Sequence, residues 1–153
     1  MDDGTKVGGR QIKNIYSTRK IALVGYVLEA ARRHPQGFPR YRGKRTFSAA
    51  VNKFLRTNDL FPAPPDPDQK YTIGGARHSF ESRMKTARLH SDDRGEMMGH
   101  SVKSDRNREL YGDEMPLEVR AMIAKLIAFG DAVSQAERDE ARAELEVLGL
   151  FRQ

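Results

Sequence analysis

The chain has 153 residues, 27 of them Lys or Arg and 21 Asp or Glu, for a net charge of +6 with no cysteine and no tryptophan. That length is one domain's worth of core, and without thiols neither disulfides nor thiolate metal sites are available. No apolar run reaches membrane length and no signal-peptide pattern opens the chain, so no membrane partner and an intracellular, cytoplasmic location are expected.

The cations are unevenly spread. Residues 1–112 carry 22 basic against 12 acidic side chains, whereas residues 113–153 carry 5 against 9. A basic stretch of this kind is the electrostatic footprint of nucleic-acid binding, although a solvated basic surface has the same composition.

In chain order, residues 1–9 are polar and glycine-rich and read as a frayed or truncated N-terminal remnant. Residues 10–16 and 19–24 read as two short strands about a turn at 16–18, the second more apolar through Ile21, Ala22, Leu23 and Val24. A helix is predicted from Val24 to Arg33 with Val27, Leu28 and Ala31 on one face, ended by His34-Pro35. Residues 35–45 form a loop in which Phe38 and Tyr41 interleave with Arg40, Arg42, Lys44 and Arg45. That mixture suits phosphate contact and base stacking, and it also describes an ordinary aromatic-anchored loop. A helix from Ser48 to Asn58 should bury Val51, Phe54 and Leu55. Pro62, Pro64, Pro65 and Pro67 then make a stiff connector that should bring Tyr71 to the core helix.

The central helix is predicted over Gly75 to Leu89, with Phe80, Met84, Ala87 and Leu89 at helical period. Arg77 lies in its first turn, where the helix dipole disfavours a cation and favours a bound anion. Asp92 and Asp93 open a short helix through Met98, and Gly99 ends it so that His100 projects. The loop 101–108 carries Lys103, Arg106 and Arg108, and residues 108–111 present Tyr111 on a helical turn. Pro116 starts a helix reaching Phe129, with Leu117, Met122, Ile123, Leu126 and Ile127 apolar, and Gly130 breaks it. Ser134 caps a last helix to Leu148 with Ala136, Ala141, Leu145 and Leu148 inward. His34, His78 and His90 read as structural.

An arginine, a histidine and a tyrosine in this order, within a basic chain, fit chemistry on a phosphate. Covalent cleavage of a phosphodiester needs a nucleophile, cations on the non-bridging oxygens and an acid for the leaving oxygen. A phenol, with a pKa of about 10, needs nearby cations to serve as that nucleophile. Arg77 offers a forked, permanently charged donor, and His100 can donate one hydrogen bond while holding or accepting a proton.

The run Arg77-His78-Ser79-Phe80, then Gly99-His100, then Tyr111 resembles the catalytic signature of the tyrosine recombinases, the phage-integrase family. Ile12-Lys13-Asn14, Ser17, Arg19 and Ile21-Ala22-Leu23 are similar to that family's β-turn lysine segment and following strand. The resemblance covers most of residues 10–128. It implies that Arg77 is the second catalytic arginine, His100 the histidine of the Gly-His turn, Tyr111 the nucleophile and Lys13 the acid for the leaving 5′-oxygen. Without the resemblance, Lys13 is an ordinary edge-strand charge. Two departures stand out: only twelve residues precede Lys13, too few for the family's first catalytic arginine, and Gly74 stands where the family often has a histidine.

These readings combine into definite expectations. The fold is expected to be α+β, mostly helical, like the recombinase catalytic domain, with a small N-terminal β-hairpin. Residues 1–9 are the remnant, 10–129 a partial catalytic domain and 130–153 a C-terminal helical extension. The function implied is site-specific DNA recombination by tyrosine-mediated strand cleavage and rejoining, or a non-catalytic DNA-binding or interaction remnant of such an enzyme. The expected partner is double-stranded DNA, contacted by Arg40, Arg42, Lys44, Arg45, Lys103 and Arg106, with homo-oligomerisation through the C-terminal helices. No cofactor or metal is expected, since arginines do the electrostatic work.

Overall fold

A computed structural model describes residues 19–64, 66–100, 105–112 and 114–152, together with the backbone of a two-residue antiparallel pair, β1 (Lys6–Val7) with β2 (Arg10–Gln11). The described chain is mostly helical: α1 (Gly25–Arg33), a 3-10 turn at Pro39–Tyr41, α2 (Phe47–Thr57), α3 (Gly75–Thr86), α4 (Ser91–Met98), α5 (Asp105–Tyr111), α6 (Leu117–Ile127) and α7 (Gln135–Val147).

The apolar periods of α3, α6 and α7 meet in one core built from Met84, Leu89, Met98, Met115, Val119, Ile123, Ile127, Leu145 and Leu150. Residues beyond 130 belong to that core as fully as those before it, through Val133, Ala141, Leu145 and Leu150. Ser134 starts α7 with a capping box: its hydroxyl accepts from Glu137 N and the Glu137 carboxylate accepts from Ser134 N. This satisfies two of the donors that a helix start leaves open. After α7 the chain returns beside the end of α3, where His90 N donates to Leu150 O (3.1 Å) and Arg152 N to Arg88 O (2.9 Å).

α3 stops at Thr86, short of the predicted Leu89, because Arg88 adopts a left-handed conformation (φ 64°). That turn closes the helix with Leu89 N donating to Met84 O and drops Leu89, fully buried, into the core. α6 likewise ends at Ile127 rather than Phe129. Its last carbonyls are taken by two guanidiniums: Arg83 donates to Ile127 O and Ala128 O, and Arg138 to Ala128 O and Gly130 O.

The N-terminal part departs most from expectation. Residues 19–24 are not a buried strand: Ile21 is 65% exposed, and the Lys20 carbonyl is bonded by the Arg120 side chain rather than by a neighbouring strand. Of the first predicted strand, residues 12–16 lie outside the described residues. Neither α1 nor α2 has a fully buried residue, and Val27 (55%) and Phe54 (60%) are exposed rather than inward. The aromatic contacts of α2 are local, Phe47 against Phe38 and Tyr41, whereas α1 reaches the segment after α6 through Tyr26 against Phe129. The proline connector ends by donating Ile73 N to the Asn52 side chain of α2, and Tyr71, tilted against Phe61, stays exposed just before α3.

Candidate functional site

Arg77, His100 and Arg19 converge at the C-terminal end of α4. Gly99 ends that helix in the left-handed region (φ 71°), as glycine does without steric cost, and the turn projects His100 into solvent. The Arg77 guanidinium crosses from α3 and donates through Nη2 to Met98 O at 2.9 Å. The same Nη2 stands 3.1 Å from His100 Nε2. A guanidinium has no acceptor, so this contact requires an unprotonated Nε2 and leaves the imidazole hydrogen on Nδ1. Arg77 sits at the unfavourable positive start of its own helix. Its charge is nevertheless delivered to the negative end of another.

Arg19 completes the cluster. Its Nη2 donates to Met97 O at 3.2 Å, one carbonyl before the Arg77 acceptor. Its guanidinium covers Gly99, where an added Cβ would lie 2.6 Å from Arg19 Cζ. Burial, followed by the nearby positive charges of Arg120 and Arg77, lowers the Arg19 pKa from the usual guanidinium value. Like charges held this close repel, and an anion between them would relieve that repulsion. A groove of about 510 Å³ adjoins the cluster, lined mainly by apolar side chains such as Ile21, Phe80, Met97 and Phe129.

Tyr111 is placed differently. It closes α5 and packs against the core, and its hydroxyl is buried beside Asp93 in the first turn of α4. Neither that hydroxyl nor Asp93 Oδ1 makes a hydrogen bond of good geometry. Burial above all, then the Asp93 carboxylate, pushes the phenol well above its ordinary pKa, with Arg106 opposing. Phenolate formation is disfavoured there, the reverse of what a nucleophile needs.

Around Tyr111 runs a closed polar network. Asp93 Oδ2 accepts from Arg106 Nη1 at 2.9 Å, and its carboxyl pKa is raised to about 6 by burial, Arg106 offsetting part of the rise. Arg106 spends further donors on Asn107 Oδ1 and Gly149 O. Arg106, expected from the sequence to contact DNA, lies on a segment that is already helical from Asp105, and its guanidinium is paired with a buried carboxylate. Arg120, buried in α6, is held by Glu96, Glu114, Met115 O and Lys20 O.

The remaining predicted residues divide. Arg40, Arg42, Lys44 and Arg45 are exposed on a loop anchored by Phe38, Tyr41 and Phe47, with Arg40 over the Tyr41 ring and Arg42 bonded to Gln36 O. Lys13 and Lys103 lie outside the described residues. Sequence reading gave Arg19 and Arg120 no site role and Asp93 only a place at the start of α4, because their partners come from distant segments that no local spacing announces. Among the described residues no group of three or more His, Asp or Glu side chains could hold a metal ion, and no helix is long and apolar enough to cross a membrane. No protein-family model, curated protein or solved structure matches this chain.

Proposed function

We propose that the chain acts on duplex DNA in the manner of a tyrosine recombinase, by strand cleavage and rejoining through Tyr111, and that the conformation described here is one that holds DNA without cutting it. The observation that carries the reading is the Arg77–His100 pair, 3.1 Å apart at the end of α4 with Arg19 alongside. A forked cation next to a donor imidazole suits a phosphate, since the fork matches two of its oxygens and Nδ1–H can supply another donor. The cationic excess of residues 1–112 adds long-range attraction to the same polyanion.

The position of Tyr111 favours a second reading, a DNA-binding element without catalysis. A phenol buried beside a carboxylate cannot attack a phosphate until its side chain leaves that cleft.

One pair of measurements separates the two. Duplex binding by the full chain should weaken steeply with salt and fall at least about tenfold in Arg77→Gln, as loss of a charge-assisted phosphate contact requires. A nicked suicide duplex, scored for covalent adduct on a denaturing gel, should give an adduct with the parent chain on the first reading and none on the second. An adduct abolished by Tyr111→Phe would establish the cleaving function and show that Tyr111 escapes its cleft. Binding indifferent to salt and to Arg77 would refute both readings.

A further inference from the structure

We propose that the surface formed by residues 34–56 is a platform for single-stranded nucleic acid, separate from the α4 end, on which Phe38 and Phe54 stack against unpaired bases while the surrounding cations take the phosphates. Residues 30–58 hold eight Lys or Arg and no Asp or Glu, and all eight cations are exposed. Arg33 pairs with Glu29, Arg42 is bonded to Gln36 O, and Arg40 lies over the Tyr41 ring. Lys44, Arg45, Lys53 and Arg56 have no carboxylate or carbonyl partner among the described residues. A patch left unneutralised by its own segment attracts a polyanion.

The rings within the patch divide into two kinds. Tyr41 and Phe47 meet edge to face at 5.4 Å, both half-buried, and these anchor the loop. Phe38 lies over Phe47 with 6.0 Å between centroids and 28° between planes, and tilts against His34 at 5.8 Å, yet it stays 61% exposed. Phe54 stands seven residues after Phe47, on the same face of α2, and is 60% exposed with no ring beside it among the described residues. Anchoring the loop uses Tyr41 and Phe47; it leaves two exposed rings among cations without a purpose. A duplex keeps its bases stacked inside and offers those rings nothing, whereas a single strand presents a π-face at every base. An anionic lipid surface would need a broad free apolar face. On α2, however, Phe47, Val51 and Leu55 are already half-buried, which leaves isolated rings instead.

The test is fluorescence anisotropy of the full chain with two labelled probes across a salt series, an oligodeoxythymidine of about 20 nucleotides, longer than one stacking site, and a duplex of equal length. Phe38→Leu and Phe54→Leu keep the apolar bulk and lose the π-face. Each should weaken single-strand binding about tenfold and leave duplex affinity within about twofold. The double variant Lys44→Gln, Arg45→Gln should flatten the slope of log single-strand affinity against log salt by about 1.4; an unchanged slope counts against the platform. Arg77→Gln should weaken the duplex far more than the single strand, so either site can fail without the other. Equal losses there would move the single strand to the α4 end and overturn the assignment. Parent-like affinity for oligodeoxythymidine in both Phe variants would leave only an electrostatic patch and overturn the inference, as would equal losses with both probes. Adsorption to phosphatidylglycerol vesicles that persists under excess oligodeoxythymidine would assign the face to lipid and overturn it as well. A thermal melt accompanies every variant, and if Phe38→Leu does not fold, Phe54→Leu decides alone.

Discussion

The two ends of α4 have opposite characters. At its N-terminal end Asp93 is fully buried, paired with Arg106 and pressed against the Tyr111 hydroxyl. At its C-terminal end Gly99 turns the chain outward, and Arg19, Arg77 and His100 meet near solvent. About 8 Å of helix axis separates Asp93 from Met98. The residues that the sequence groups into one reaction are thus divided by a short helix between a closed acidic cleft and an open cationic turn. The open end presents its cations beside solvent as it stands. The closed end holds its tyrosine by burial, in surroundings that oppose the charged form.

The closed end should answer to mutation as a piece of core. Arg106→Ala leaves the buried Asp93 carboxylate without its partner, and removing one member of a buried pair costs about 3 kcal/mol or more. Arg106 is partly exposed (29%), which keeps the expected loss near that lower figure. Thermal melting should show the loss clearly, whereas duplex affinity measured below the transition should change little. A large affinity change with unchanged stability would put Arg106 back among the DNA contacts.

The same carboxylate should give the closed end a pH signature. The folded Asp93 pKa, about 6, lies above its ordinary 3.8. Between roughly pH 4 and 6 the folded chain therefore binds more protons than the unfolded one, so stability falls as pH rises through that window. The Asp93 contribution should amount to about 2 kcal/mol. Denaturant titrations of the parent and Asp93→Asn across these pH values test it: the variant should be flatter, and an identical slope would contradict the burial argument.

The open end should respond in the other way. Arg77→Gln should change stability by less than about 1 kcal/mol, as for an exposed hydrogen bond, while duplex affinity drops at least about tenfold. A stability loss matching the Arg106 variant would make the two ends alike, with Arg77 serving mainly to close α4.

How much of this was visible in the sequence follows from the range of the interactions involved. Gly99 ending a helix, Ser134 capping one, and the apolar period running through Met84, Ile123 and Leu145 are local signals, and the structure follows them. The proximity of Arg77 to His100 depends on the α3–α4 turn, and the residue pattern across the 23 positions that separate them was enough to anticipate it. The pairing of Arg106 went unseen because its partner Asp93 lies 13 residues away and is buried by the surrounding fold. Arg19 went unassigned because its neighbour Met97 is 78 residues distant. The strand predicted at 19–24 failed for a related reason: its apolar run was correctly seen, but a side chain from α6, Arg120, took the Lys20 carbonyl that a strand would have paired.

The smallest expected effect concerns Tyr111 itself, and it bears on both readings of function. Its hydroxyl is buried without a hydrogen-bond partner of good geometry, beside a carboxylate oxygen in the same condition. An unsatisfied buried hydroxyl carries a desolvation cost, and removing it while keeping the ring preserves the packing of Tyr111 against the core. Tyr111→Phe should therefore be neutral or stabilising, by up to about 1 kcal/mol, in chemical denaturation near pH 7. Near pH 4–5, where Asp93 is protonated and can donate to the phenol oxygen, the gain should shrink. Destabilisation by more than about 1 kcal/mol at neutral pH would mean that the hydroxyl makes a favourable bond in the folded chain, with Asp93 as the nearest acceptor. The tyrosine would then be latched by a specific contact rather than merely enclosed, and release of Tyr111 for attack on DNA would have to break that bond.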